Sequence, residues 1–155
     1  MLERQHTIEA RHEDEIAESV KVTMKALKEF FGLKAASRRG LLKSVGAEFG
    51  HIVARNITDS KDPRVILDEI TVFWNTHGLG EMEATKEDRF TFMVRNCYDC
   101  LAASAGDTLC GFKEGFINAI LSDRTGGIGS VEEIECCGSG AEACKFHVVP
   151  FQKDH

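Results

Sequence analysis

The chain has 155 residues and a net charge of −6, and its Lys and Arg residues are scattered, with only Arg38 and Arg39 side by side. A duplex-binding protein needs a concentrated basic face to displace counterions, so this composition excludes one. Hydrophobic residues make up 43% and charged residues 28%, the balance of a globular chain long enough to bury its own core. No apolar run approaches the ~18 residues that a bilayer span requires. The N-terminus is charged with no apolar stretch, which does not read as an export signal. The expected compartment is therefore the cytoplasm, where thiols stay reduced and clustered cysteines point to metal or redox chemistry.

In chain order, residues 8–31 read as a helix. Ile16, Val20, Met24, Leu27 and Phe31 form its apolar stripe, and Gly32 stands as C-cap. That stripe packs on the core or on a second copy of the chain. A second helix is expected over about 38–56, with Leu41, Leu42, Val45, Phe49, Ile52 and Val53 on one face. Gly46 and Gly50 share a face of it, which suits close approach of another backbone or of a ligand. Asp62-Pro63 opens a third helix, Asp as N-cap and Pro at the first helical position, and Gly78 closes it.

Residues 79–84 then read as a short strand and Lys86-Glu87-Asp88 as a turn. Alternation of Phe90, Phe92 and Val94 with Thr91, Met93 and Arg95 gives the second strand of a hairpin. A fourth helix is expected over about 105–121, with Cys110 in its first half. After Thr125-Gly126-Gly127, a strand over 128–135, the turn Gly138-Ser139-Gly140 and a closing strand from Cys144 to Val149 make a second hairpin. Pro150 and the polar tail are expected to end it. Three helices, a hairpin, a helix and a hairpin specify an α+β fold: helices packed on an antiparallel sheet of two hairpins. We read 1–155 as one domain, with 1–35 a possible dimerisation helix and 36–151 the ligand-binding core.

All six cysteines fall between Cys97 and Cys144. The pattern Cys110-x22-Glu133-x2-Cys136-x7-Cys144 supplies three thiolates and a carboxylate, a donor set that suits zinc. Cys136 and Cys144 flank a glycine-rich turn that can bring both to one ion. Glu133 and Cys136, three apart, would face opposite sides of a regular strand, so the site requires a bulge or strand end between them. Four protein donors leave no open position, so this zinc is structural and clamps the C-terminal hairpin to the fourth helix. The competing reading is a group of reduced thiols in the core. Cys97-x2-Cys100 fits a metal knuckle, a redox pair or ordinary packing. Cys137, beside Cys136, is expected to point away from the ion, a bystander or an oxidation-sensitive thiol. Cys97, Cys100 and Cys137 are thus the redox candidates. His51 and His77 read as packed or capping histidines, and His147 falls on the strand face opposite Cys144. No nucleophile elbow, phosphate-cradling loop or HExxH motif is present, so catalysis by side chains alone has no motif behind it.

The segment Cys110-Gly111-Phe112-Lys113-Glu114-Gly115-Phe116, followed by Glu133-x2-Cys136-x3-Gly140-x3-Cys144-x-Phe146-x-Val148, resembles the 4-vinyl reductase domain family. Gly46-Ala47-Glu48-Phe49-Gly50, Phe73-Trp74-Asn75-Thr76-His77-Gly78-Leu79-Gly80 and Phe92-Met93-Val94-Arg95-Asn96-Cys97 extend the likeness over about 40–150. The resemblance implies an α+β dimer with an apolar cavity, similar in fold to Golgi transport-complex subunits. It also implies zinc on Cys110, Glu133, Cys136 and Cys144. The implied role is binding of a hydrophobic, hydrocarbon or aromatic small molecule, as in aromatic-responsive regulators. Candidate pocket residues are Phe49, Val53, Phe73, Trp74, Phe90, Phe92, Phe112 and Phe116, and core filling is their plain alternative. Unlike those regulators, this sequence shows no ATPase or helix-turn-helix, so its output passes through a separate signalling partner or through catalysis. The alternatives are a tetrapyrrole vinyl reductase or its accessory, for which no dinucleotide fingerprint appears, and a thiol redox sensor.

Overall fold

The computed structural model describes residues 14–15, 18–19, 21–22, 35–57, 59–88, 90–97 and 110–152. The chain divides into two compact units, Met1–Gly32 and Leu33–His155. In the first unit the described residues, all between 14 and 22, are helical, as the sequence suggests. There Ser19 Oγ donates to the Glu15 carbonyl one turn back at 2.8 Å. The apolar stripe expected on that helix lies outside the described residues.

The second unit contains α1 (Ala35–Ala54), α2 (Pro63–Thr76), β1 (Glu81–Ala84), β2 (Thr91–Arg95), α3 (Gly111–Thr125), β3 (Ile128–Glu135) and β4 (Cys144–Gln152). The strands form one antiparallel sheet in the order β1-β2-β4-β3. This is the expected α+β architecture with two hairpins. No helix among the described residues is long and apolar enough to cross a membrane.

Helix α2 begins as its sequence directs. Asp62 Oδ1 accepts the Arg64 amide at 2.9 Å, and Pro63 occupies the first helical position. Asn75 then docks the first hairpin. Its side chain donates to the Met82 carbonyl at 2.9 Å and accepts the Met82 amide at 2.7 Å.

Helix α3 is the centre of the unit, packed between α1 and the sheet. It is buried almost all round, so it lacks the one-sided pattern of a surface helix. Its start differs from the expected one: Cys110 is the N-cap, not a residue of the first half, and 98–109 lie outside the described residues. The crossing of α1 and α3 is made by glycines. A Cβ at Gly46 would stand 2.1 Å from the Phe112 carbonyl oxygen, and one at Gly115 1.9 Å from that of Lys43. Gly50 and Gly111 are similarly close to Phe116 and Arg39. The spacing of Gly46 and Gly50 therefore did mark close approach of a second backbone.

Phe92, Val94, Cys144, Phe146, Val148 and Val131 cover the sheet face under α3. The opposite face carries ion pairs, Glu83 with Arg95 at 2.5 Å and Glu135 with Lys145 at 2.9 Å. Pro150 does not end the last strand. β4 runs on to Gln152, and the register shifts between the pairs Ile128↔Gln152 and Ser130↔Val149. Pro150 falls inside that irregularity, where no ladder amide is required of it.

Candidate metal centre

Four expected donors converge. The ligand atoms of Cys110, Glu133, Cys136 and Cys144 all lie within 4.8 Å of one another. Cys110 comes from the cap of α3, Glu133 from β3, Cys136 from the turn and Cys144 from the first position of β4. The three cysteines are buried, and the Glu133 side chain is only 3% exposed.

The required bulge is present. Glu133 pairs with Phe146, but Glu135 pairs with Lys145, so one extra residue, Ile134, is inserted in β3. Ile134 is turned outward and 54% exposed. The insertion offsets the odd spacing and lets Glu133 and Cys136 face inward together.

Cys110 Sγ lies 3.8 Å from Cys136 Sγ and 3.4 Å from Cys144 Sγ. A tetrahedral ion with sulfur bonds of about 2.3 Å sets its sulfurs about 3.8 Å apart, so these separations suit one. Glu133 Oε1 is buried and has no hydrogen-bond partner. A buried acceptor in that condition costs about 1–3 kcal/mol, and a cation among the sulfurs would satisfy it. The residues present therefore fit a closed four-donor metal site.

A polar frame orients the carboxylate. Arg39 of α1 donates from Nη1 to Glu133 Oε2 at 2.7 Å and from Nη2 to Glu114 Oε1. Glu114 Oε1 also accepts the Glu133 amide at 2.8 Å, and Lys43 lies 3.7 Å from its other oxygen. Burial opposes the charge on Arg39, but Glu133 and Glu114 hold its guanidinium above the usual range. In the absence of a metal, burial pushes the Glu133 carboxyl up to about 7, against the hydrogen bond from Arg39 and with Cys136 adding to the rise. A bound cation inverts that balance.

Lys113 is fully buried beside the site. Its Nζ lies 2.8 Å from Cys97 Sγ, 3.9 Å from Cys110 Sγ and 5.4 Å from the centroid of the Trp74 ring. Arg39, Lys113 and Glu114 escaped the sequence reading. The signal for two of them was a charged pair, Lys113-Glu114, set between Phe112 and Phe116 in an otherwise apolar helix.

Two further thiols adjoin the four donors. Cys97 Sγ lies 3.6 Å from Cys110 Sγ, and Cys137 Sγ lies 3.5 Å from Cys144 Sγ. Cys137 thus does not turn away from the cluster as expected. Cys100 lies outside the described residues. His147 is on the outer sheet face, 3.0 Å from Thr91 Oγ1. His77 caps α2 and packs on Phe73, and His51 pairs with Asp123 at 2.7 Å.

Five of the aromatic candidates, Phe112 and Phe116 of α3 with Phe49, Phe73 and Trp74, pack as one layer. Ring centroids are 6.2 Å apart for Phe49 and Phe112, 6.0 Å for Phe112 and Phe116, 6.0 Å for Phe73 and Phe116, and 5.6 Å for Trp74 and Phe116. Val53 and Phe92 are buried, and Phe90 is half-buried. Trp74 Nε1 is buried without a hydrogen-bond partner. Gly80 leaves room before it, since a Cβ there would stand 3.3 Å from that nitrogen.

Residues 90–150 match the family profile of the V4R domain, which bears out the resemblance in the C-terminal part of the chain. An uncharacterized protein of Methanocaldococcus jannaschii is 31% identical over 72 residues, 46% of this chain and 42% of that protein. The match thus spans less than half of that relative. The fold is similar to the phenol-responsive sensory domain of the transcription activator PoxR with phenol (TM-score 0.60, 16% identity, 86% of this chain and 74% of that one). It is also similar to a vinyl-4-reductase family protein from Methanocaldococcus jannaschii (TM-score 0.54, 18% identity, 86% and 91%). A third similar fold is a trafficking protein particle complex subunit 3 from Naegleria fowleri covalently bound to palmitic acid (TM-score 0.54, 10% identity, 94% and 99%). At these identities the likeness to the solved structures establishes the fold alone.

Proposed function

We propose that the chain is a small-molecule sensor or carrier domain for a hydrophobic or aromatic ligand, with a structural zinc on Cys110, Glu133, Cys136 and Cys144. The observation that carries the ligand reading is the Trp74 indole N–H. Its ring lies 5.6 Å from that of Phe116, and its buried Nε1, beside Gly80, has no acceptor. Leaving such a donor unmet costs about 1–3 kcal/mol, and a ligand hydroxyl reaching it would recover that cost. Ligand sites are commonly apolar with a few placed polar groups, and this layer has that make-up. The similar folds that hold phenol and palmitic acid support the same class of ligand. The reading further includes a homodimer built through residues 1–35, a cytoplasmic location and a separate signalling partner.

Trp74 is the only tryptophan, so its fluorescence reports the site directly. Titration with phenol is expected to shift or quench it, and benzene to bind more weakly. In Trp74→Phe, binding followed by calorimetry should lose the preference for phenol over benzene. A folded wild-type protein whose emission ignores phenol and fatty acids alike would remove this reading.

A further inference from the structure

The four-donor group is accompanied by two sulfurs that it does not include, and each touches a donor. Cys97 Sγ is 3.6 Å from Cys110 Sγ, and Cys137 Sγ is 3.5 Å from Cys144 Sγ. These are contact distances between sulfurs, about 1.5 Å longer than a disulfide bond. The described cysteines are present as thiols. Cys97 is buried, whereas Cys137 is half-buried at the start of the turn Cys137–Ser139, where a small oxidant can reach it. The Cys137 amide also donates to Cys144 Sγ at 3.3 Å, which holds the two residues in register.

We propose that Cys137 and Cys97 are oxidation sites through which a hydroperoxide expels the metal, by joining Cys137 to Cys144 and Cys97 to Cys110. The proposal rests on the four-donor metal reading and adds a way to unload it. In the first step Cys137 Sγ attacks one peroxide oxygen. The O–O bond breaks, a sulfenic acid forms, and the other oxygen leaves as water or alcohol. Cys144 Sγ then attacks the Cys137 sulfur. The S–S bond forms as the S–O bond breaks, Cys144 gives up its place on the metal, and the departing hydroxide takes a proton from solvent and leaves as water. The two sulfurs together give up two electrons, which reduce one peroxide. Cys97 and Cys110, both buried until the first disulfide has taken Cys144 from the shell and loosened the site, then consume a second peroxide by the same steps. Each disulfide takes one donor from the shell, and after both only Glu133 and Cys136 remain. Two donors do not make a closed zinc site. The loss is then felt in the fold, because a structural metal contributes directly to folding.

The test uses the full chain loaded with zinc and treated with hydrogen peroxide. Released zinc is followed with a chromophoric chelator, hydrogen loss by intact mass, and pairing by peptide mapping. Zinc release in step with loss of two hydrogens per disulfide, mapped to Cys137–Cys144 and Cys97–Cys110, is the expected result, and thiol reductant plus zinc should restore the starting state. The double variant C97S/C137S keeps all four donors and is expected to hold its zinc through the same exposure. If the buried Cys97 position does not accept serine, Cys137→Ser alone should block the first disulfide and slow release. Equal release from either variant and from wild type overturns the proposal, as does a folded wild type whose thiols stay reduced. A protein that takes up no zinc but forms both mapped disulfides removes the metal reading while the pairing stands. One that takes up zinc and releases it without those disulfides does the reverse.

Discussion

The same substitution should have opposite signs at two positions of α1 and α3. At Gly115 a Cβ would lie 1.9 Å from the Lys43 carbonyl oxygen, 2.8 Å from its carbon and 3.0 Å from the Ala47 amide nitrogen. All three obstacles are backbone, so no rotamer change relieves them, and the helices must part by about 1.5 Å to restore ordinary van der Waals contact. Overpacking of this kind costs about 1–3 kcal/mol or more, and the gain in helix propensity from Gly to Ala returns only about 1 kcal/mol. Parting the helices also pulls Arg39 from Glu133, so we expect Gly115→Ala to lose at least about 2 kcal/mol. At Gly40 an added Cβ meets nothing within 4 Å, and only the propensity gain remains. Gly40→Ala should therefore gain about 0.5–1 kcal/mol. For a chain of this size 1 kcal/mol moves the melting temperature by roughly 2–4 °C. Thermal or urea unfolding of the two variants under identical metal loading separates them. A Gly115→Ala protein as stable as wild type, or a shift of the same sign in both, would refute the close crossing of α1 and α3.

Two more outcomes concern the metal centre. A strong chelator, or Cys144→Ala, should lower the unfolding midpoint by an amount worth several kcal/mol, since saturation at about a hundred times the dissociation constant alone contributes about 2.7 kcal/mol. Identical melting with and without chelator, in a protein shown to contain zinc, would contradict it. The metal-free protein should also have a distinctive pH dependence. Its folded state raises the Glu133 carboxyl from 4.5 to about 7, so the folded chain binds the proton more tightly than the unfolded chain does. The stability this contributes is full below pH 4.5 and is lost as pH climbs through 7, so unfolding free energy should fall across that window and then level off. Glu133→Gln should flatten the fall, and metal loading should abolish it because the cation displaces the proton. Urea midpoints across the window decide the matter, and a metal-free protein that gains stability as pH rises would contradict the assignment.

Much of this architecture was legible because local chemistry and tertiary structure agree. Asp62-Pro63 states its own cap, and the alternation around Phe92 and Val94 is one-sided because one sheet face is covered and the other carries Arg95 and Lys145. The bulge at Ile134 was foreseeable from the odd spacing of Glu133 and Cys136, since only an inserted residue lets both face inward. The start of α3 was not legible. A helix covered on two sides carries no amphipathic stripe to mark its ends, and the first residue after the cap is Gly111, which signals nothing by itself. Pro150 misled for a related reason, because the rule that excludes proline from strands lapses where the ladder is already interrupted. Arg39 could not be found at all, since its role depends on a partner 94 residues away.

The charges around the four donors explain why such a distant residue is recruited. With a metal bound, three thiolates and a carboxylate would carry four negative charges and a divalent ion would cancel two of them, leaving a buried anion. Burying net charge is costly unless it is paired. The Arg39 guanidinium bridges Glu133 and the buried Glu114, and the Lys113 side-chain nitrogen lies 3.9 Å from Cys110 Sγ, so basic groups stand beside two members of the group. Arg39 comes from α1, which holds none of the four donors, and Lys113 from the body of α3, whose cap is Cys110. The same two residues make the other contacts that set the fold's geometry, Arg39 through Glu114 to the start of the bulge and Lys113 across the Trp74 ring. Lys113 Nζ thus stands between the four donors and the candidate ligand layer, 3.9 Å from Cys110 Sγ and 5.4 Å from the centroid of the Trp74 ring.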